Sequence, residues 1–243
     1  MSAEELERTK RYYERFAETY EHERGGRGRY HDLVDDLEVE LAAQYVKGVD
    51  VLEVGCGTGL VLRRIAPIAR RAVGIDLSPA MLERARKRGL DVREASADEL
   101  PFEDASFDVA LSFKTLPHVP DLSRALSEMA RVVRPGGVLI AELYNPRSAR
   151  AFIKRWLPPG RVGSGTERDV LCRYHDRGQL DRALPRGCSV ERIRGVRTVL
   201  PAAVFLDIPL LGSILDHGER ALADHPFAAR FGGFVSYVIR RGV

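Results

Sequence analysis

The segment Val51-Leu52-Glu53-Val54-Gly55-Cys56-Gly57-Thr58-Gly59 constrains this chain more than any other. A short strand-like run ends in three glycines at alternate positions, and a helix is predicted over 60–69. Glycines there let the backbone turn sharply and approach a ligand with no Cβ in the way. The start of a helix offers unpaired N–H groups at the same place. The pattern then repeats. Strands are predicted at 72–75, 91–94, 107–112 and 138–143, with helices at 78–87 and 122–133 between them and a turn at 134–137. Ser78 and Asp121 are suited to cap those two helices, and Pro79 to open the first. Strands alternating with helices at this spacing make βαβ units and a parallel sheet. Such a sheet is covered on both faces, which suits strands that are mostly apolar.

The flanks are read less sharply. A helix over 3–23 places Tyr12, Tyr13, Phe16 and Tyr20 on one face, either as packing or as a lid. A second helix is predicted over 31–46. Residues 145–198 are rich in Arg, Pro and Gly and read as an insertion or lid, with strands possible at 190–196 and 233–240. The expected organisation is one domain over 1–243. Residues 1–48 form N-terminal helices or a lid, 49–145 a binding core, and 146–243 a cap with the final strands.

Composition narrows the partners. With 38 basic and 35 acidic residues, interleaved, the net charge is +3, so nucleic acid is an unlikely partner. Cys56, Cys172 and Cys188 form neither a disulfide framework nor a zinc spacing, and no metal site is expected. No transmembrane segment or signal peptide is read, and the expected location is cytoplasmic.

The spacing of the glycine turn bears on its ligand. A dinucleotide fingerprint needs G-x-G-x-x-G, but position 60, where its third glycine would fall, is Leu. Asp76 ends the second strand, where a carboxylate can accept both hydroxyl protons of a ribose. A nucleoside-containing ligand follows, without need of a pyrophosphate.

These residues, with 74–82, 99–108, 118–121 and 128–137, resemble in order and spacing the motifs of class I S-adenosylmethionine-dependent methyltransferases, within the small-molecule and quinone-type group. The resemblance covers about residues 45–145. It implies a Rossmann-like α/β fold with a seven-stranded, mostly parallel sheet flanked by helices and an N-terminal helical lid. It implies that backbone at Gly55 and Gly57 contacts the methionine portion of S-adenosylmethionine, that Asp76 holds the ribose, and that Leu77 and Met81 pack against the adenine. Glu53, Gly59, Ser96, Ala97, Asp98 and Phe113 complete that cofactor set, with Tyr13 and Tyr20 closing from the lid. Relatives usually carry an acid where this chain has Ser96, and Asp98 or a backbone carbonyl is the substitute. The product is S-adenosylhomocysteine, and the acceptor is a small molecule, quinone-like or a natural product, methylated at O, N or C. RNA- or protein-directed transfer and non-catalytic cofactor binding remain as alternatives.

His118 and Tyr144 are the catalytic candidates. Both follow strands at the edge where open α/β sheets bind ligands. An imidazole suits proton transfer near neutrality. Tyr144 could orient an acceptor. Tyr30 and His31 could reach the same pocket, and Arg147, Arg150, Lys154 and Arg155 could attract an anion beside Trp156 and Leu157.

Overall fold

Alternating apolar strands and amphipathic helices assemble a seven-stranded sheet in the order β3-β2-β1-β4-β5-β9-β8. The computed structural model describes residues 10–14, 17, 20, 29–154, 161–162, 165–166, 171–200 and 202–243. Phe16, Arg155, Trp156 and Leu157 lie outside the described residues. β1 (Asp50–Val54), β2 (Arg71–Asp76), β3 (Asp91–Glu94), β4 (Phe107–Ser112) and β5 (Val133–Tyr144) pair in parallel. β9 (Phe234–Arg241) runs antiparallel between β5 and β8 (Cys188–Val196). A small hairpin joins β6 (Arg161–Val162) to β7 (Gly165–Thr166).

The two sheet faces follow the strand alternation. Leu52, Val54, Ala110, Leu139 and Ala141 face α4 (Leu122–Val132), which contributes Leu122, Ala125, Leu126 and Met129 at helical spacing. Asp121 caps α4 by accepting the Arg124 N–H at 3.0 Å. On the other face, Val51, Val109, Leu111, Val138 and Ile140 meet Leu41 and Ala42 of α1 (Arg29–Ala43). Leu62 and Ile65 of α2 (Leu62–Ile65) and Leu82 and Ala85 of α3 (Pro79–Lys87) join them. Ser78 caps α3, with Pro79 at its first position. A third cluster seats Tyr30, Leu33, Val34 and Leu37 of α1 against Val196, Leu200, Leu206 and Phe234.

Three elements depart from the sequence reading. The 134–137 turn is carried within β5, because a register shift opposite Phe107 and Val109 accommodates it; Gly136 sits there at φ +78°. α6 (Arg177–Ala183) went unread although Asp176 and Gln179 form a complete capping box. α7 (Leu211–Ala223) went unread because its start, Leu210, carries no side-chain cap. Before both, α5 (Ala149–Lys154) begins the insertion. Among the described residues no helix is long and apolar enough to cross a membrane.

Candidate functional site at the carboxyl edge of the sheet

The strand order reverses between β1 and β4, and that switch point is where open sheets bind ligands. Each glycine of the turn has its own reason. Gly55 lies at φ +77°, and a Cβ there would sit 2.1 Å from Thr115 Oγ1. Gly59, at φ +81°, would drive a Cβ to 2.3 Å from Leu90 Cδ1. Gly57, at φ +54°, has nothing within 4 Å in the Cβ direction, so it borders open space. Thus Gly55 and Gly59 serve close packing, while Gly57 leaves a cradle that any side chain would fill.

Asp76 faces that cradle. Its Oδ2 accepts the Gly57 N–H at 2.8 Å and its Oδ1 accepts the Ser78 N–H at 2.9 Å. Burial raises its pKa, and those backbone N–H groups pull the other way. The Leu77 N–H bonds the carboxylate as well, which leaves room for a ribose hydroxyl at its remaining lone pair. The cradle and this remaining acceptor site fit S-adenosylmethionine. Met81 is buried at the start of α3. Ala97 and Phe113 are buried as well. Ser96 donates to Asp98, so the two side chains expected to read the adenine are bound to each other. Cys56 is a buried filler whose Sγ a Cβ at Gly74 would approach to 2.6 Å.

His118 and Tyr144 are brought together. His118 lies in the one-turn 3-10 helix after β4, and Tyr144 ends β5. His118 Nε2 is 3.2 Å from Tyr144 Oη, and His118 Nδ1 is 2.6 Å from the Leu171 carbonyl oxygen. A carbonyl only accepts, so Nδ1 carries the proton and Nε2 is left to accept from the tyrosine. Burial lowers the His118 pKa and raises that of Tyr144. The aromatic face of the N-terminal segment is divided. Tyr12 and Ala17 are buried as packing, while the Tyr13 ring lies 6.3 Å from His118. Burial raises the Tyr13 pKa, and both Tyr144 and Asp76 add to that. Tyr13 thus lies near the His118 ring and within electrostatic reach of Asp76 and Tyr144. Tyr20 lies within electrostatic reach of Tyr13. Tyr30 packs in the cluster that Tyr144 borders, with His31 edge-on to it at 5.0 Å. Arg150 stacks 5.7 Å over Phe234, and the Arg147 N–H donates to Asn145.

Beneath this edge lies a buried acid cluster that sequence reasoning missed apart from Glu53. Lys114 Nζ is 2.9 Å from both Asp35 and Glu38 of α1. Ser236 Oγ donates to Glu142 at 2.8 Å. Glu53 Oε2 and Glu142 Oε1 are buried with no hydrogen-bond partner among the described residues. Burial pushes Glu53 up to about 8, and the Lys114 charge moderates it. Burial likewise raises Glu38 and Glu142. The signal was present in the sequence: Glu142 interrupts an apolar strand, and Glu38 falls on the apolar stripe between Val34 and Leu41. Among the described residues no His/Cys/Asp/Glu group could hold a metal ion. The 171–175 strap was missed too. The Arg173 N–H donates to the Pro117 carbonyl at 2.8 Å, and the His175 N–H to the Tyr144 carbonyl at 3.0 Å.

Comparison with known proteins bears on the fold and the family likeness. Residues 52–141 match the family model described as a methyltransferase domain. A probable S-adenosylmethionine-dependent methyltransferase of Mycolicibacterium smegmatis is 40% identical over 119 residues, 48% of this chain and 45% of that protein. A ubiquinone biosynthesis O-methyltransferase of Mesorhizobium japonicum is 30% identical over 134 residues, 49% of this chain and 53% of the relative. The chain spans about half the length of these curated relatives. A Thermotoga maritima crystal structure, described as a SAM-dependent methyltransferase and possible histamine N-methyltransferase, superposes with a TM-score of 0.65. It is 22% identical, with 94% of this chain and 98% of that chain covered, and shows the shared fold.

Proposed function

We propose that this chain, whose residues 52–141 match a methyltransferase domain, moves a methyl group from S-adenosylmethionine to a small-molecule acceptor, quinone-like or a natural product. The observation that carries this reading is Tyr13, which feels both Asp76 and Tyr144 and packs near His118. In this reading the cofactor bed and the acceptor side lie on either side of Tyr13.

Gly57 leaves room for the methionine portion, Gly55 and Gly59 hold the turn, and Asp76 accepts from the ribose. Glu53, with one buried oxygen unpartnered, lies two residues before the turn. Leu77, Met81, Ser96, Ala97, Asp98 and Phe113 border the adenine, with Tyr20 beside Tyr13 on the lid. The cofactor supplies an activated methyl on a sulfonium whose departure leaves a neutral thioether. The chain's part is alignment of the acceptor, exclusion of water by the lid and care of any proton the acceptor loses. The quinone-like class is supported by the likeness to the Mesorhizobium ubiquinone biosynthesis O-methyltransferase.

The test pairs binding with transfer. Asp76→Ala is expected to weaken S-adenosylmethionine binding by more than about tenfold, since it removes the ribose acceptor. Tritiated methyl from the cofactor is expected in small hydroxylated acceptors. Label found only in RNA or protein, or in nothing, would sink the small-molecule reading.

A further inference from the structure

Three atoms in series stand out at the acceptor side: the Leu171 carbonyl oxygen, the His118 ring and Tyr144 Oη. The strap that brings Leu171 there is pinned on both sides. Arg173 is bonded through its N–H to Pro117 and through its guanidinium to Pro120, while His175 is bonded through its N–H to the Tyr144 carbonyl. Tyr144 and Tyr174 also form an isolated parallel bridge. The strap therefore cannot shift without disturbing both strand ends that carry the pair. Around the Tyr144 ring lie other rings, and the Cys172 thiol is within electrostatic reach of it. His118 stands perpendicular to Tyr144 at 5.5 Å, Tyr174 lies at 5.8 Å and Phe234 at 5.1 Å.

We propose that Tyr144, His118 and the Leu171 carbonyl form a proton relay, and that the acceptor is an aromatic hydroxyl compound whose proton leaves through Tyr144. This rests on the methyl-transfer reading above. Leu171 fixes the Nδ1–H tautomer, so Nε2 is an unprotonated acceptor aimed at the tyrosine. Tyr144 is the catalytic residue, because it would touch the acceptor. His118 and the strap are positioning residues that act through it. As the oxygen–methyl bond forms and the carbon–sulfur bond breaks, the acceptor hydroxyl proton passes to Tyr144 Oη. The proton of Tyr144 passes to His118 Nε2, where the imidazolium keeps its bond to the Leu171 carbonyl. One proton is lost and one gained, with no other reactant. An aromatic hydroxyl needs this device, since its oxygen becomes a strong nucleophile as it loses its proton.

The groups facing the His118 ring are Tyr13 from the N-terminal helix, Tyr144 from β5 and the Leu171 carbonyl from the strap. Imidazole nitrogen NMR of the full chain with S-adenosylhomocysteine tests the relay directly. The expected result is Nδ1 protonated, Nε2 unprotonated, and titration below 6.5, with the Nε2 resonance displaced in Tyr144→Phe. An Nε2–H tautomer, or titration at 6.5 or above, overturns the relay whatever the acceptor. A second arm supplies tritiated cofactor with catechol or with aniline as probes. Label in catechol, with kcat reduced about 100-fold in Tyr144→Phe and KM within about threefold, supports the hydroxyl class. Label in aniline alone, or in neither, overturns that class. Failure of the protein to bind S-adenosylmethionine would instead remove the underlying methyl-transfer reading.

Discussion

Replacing Glu53 with Gln should change how stability responds to pH. Glu53 is 3% exposed, and its carboxyl is pushed from 4.5 up to about 8. Below 4.5 both folded and unfolded chains hold the proton, and its stabilising contribution is complete. Above 4.5 the unfolded chain releases the proton while the folded chain retains it. Stability therefore falls as pH rises, by about 1.4 kcal/mol per unit, until the folded group also ionises near 8. Between pH 5.5 and 7 the wild type should lose about 2 kcal/mol that Glu53→Gln does not lose. The buried amide adds a penalty of about 1–3 kcal/mol where its N–H₂ finds no acceptor. That penalty does not depend on pH, so it shifts the curve without tilting it. Urea unfolding of both proteins at the two pH values reads the difference. In this size range it corresponds to about 4–8 °C in Tm. Parallel curves would refute the reasoning, because Glu53 would then be ionised in the folded state. Glu38 and Glu142, raised in the same way, tilt both proteins alike.

Other substitutions separate packing from binding. Gly55→Ala should cost about 3 kcal/mol in stability, since its Cβ would overlap Thr115. Gly57→Ala should cost only about 1 kcal/mol in stability yet weaken S-adenosylmethionine binding at least about tenfold, since its Cβ enters the cradle. Unfolding and titration of both variants check this, and equal effects on both measures would contradict the division. Glu219 accepts the N–H groups of Thr198, Val199 and Leu200 at 2.6–2.8 Å while fully buried. Glu219→Ala should lower stability by about 3 kcal/mol or more in urea unfolding, and a loss under about 1 kcal/mol would show the three donors finding other partners.

The sequence made the first half of the sheet readable because short-range rules govern it. Strand, glycine turn, helix and terminal acid follow one another from Val51 to Asp76, and each is set by neighbours within a few residues. The same holds for Ser78 and Asp121 as caps. The surroundings of His118 and Tyr144 are made by contacts between residues far apart in the chain. Leu171 reaches His118 across 53 positions, and Lys114 reaches Asp35 across 79. Nothing local in 171–175 marks it as a strap, since its hydrogen bonds go to other elements. His118 and Tyr144 were identifiable singly from their places after strands. Their contact, and the tautomer that Leu171 imposes, required the fold. The acid cluster was half visible: a glutamate in a strand buried on both faces signals an unusual environment, but its partners come from α1 and from the loop after β4. The pairing of Ser96 with Asp98 was also out of reach, since either could have faced the adenine alone.

Calorimetric titration with S-adenosylmethionine, S-adenosylhomocysteine and NAD tests the central claim most directly. The account predicts one site that binds the first two, loses affinity in Asp76→Ala and gives no response to NAD, because Leu60 stands where a dinucleotide turn needs glycine. Tight NAD binding with no response to the sulfonium or its product would contradict it.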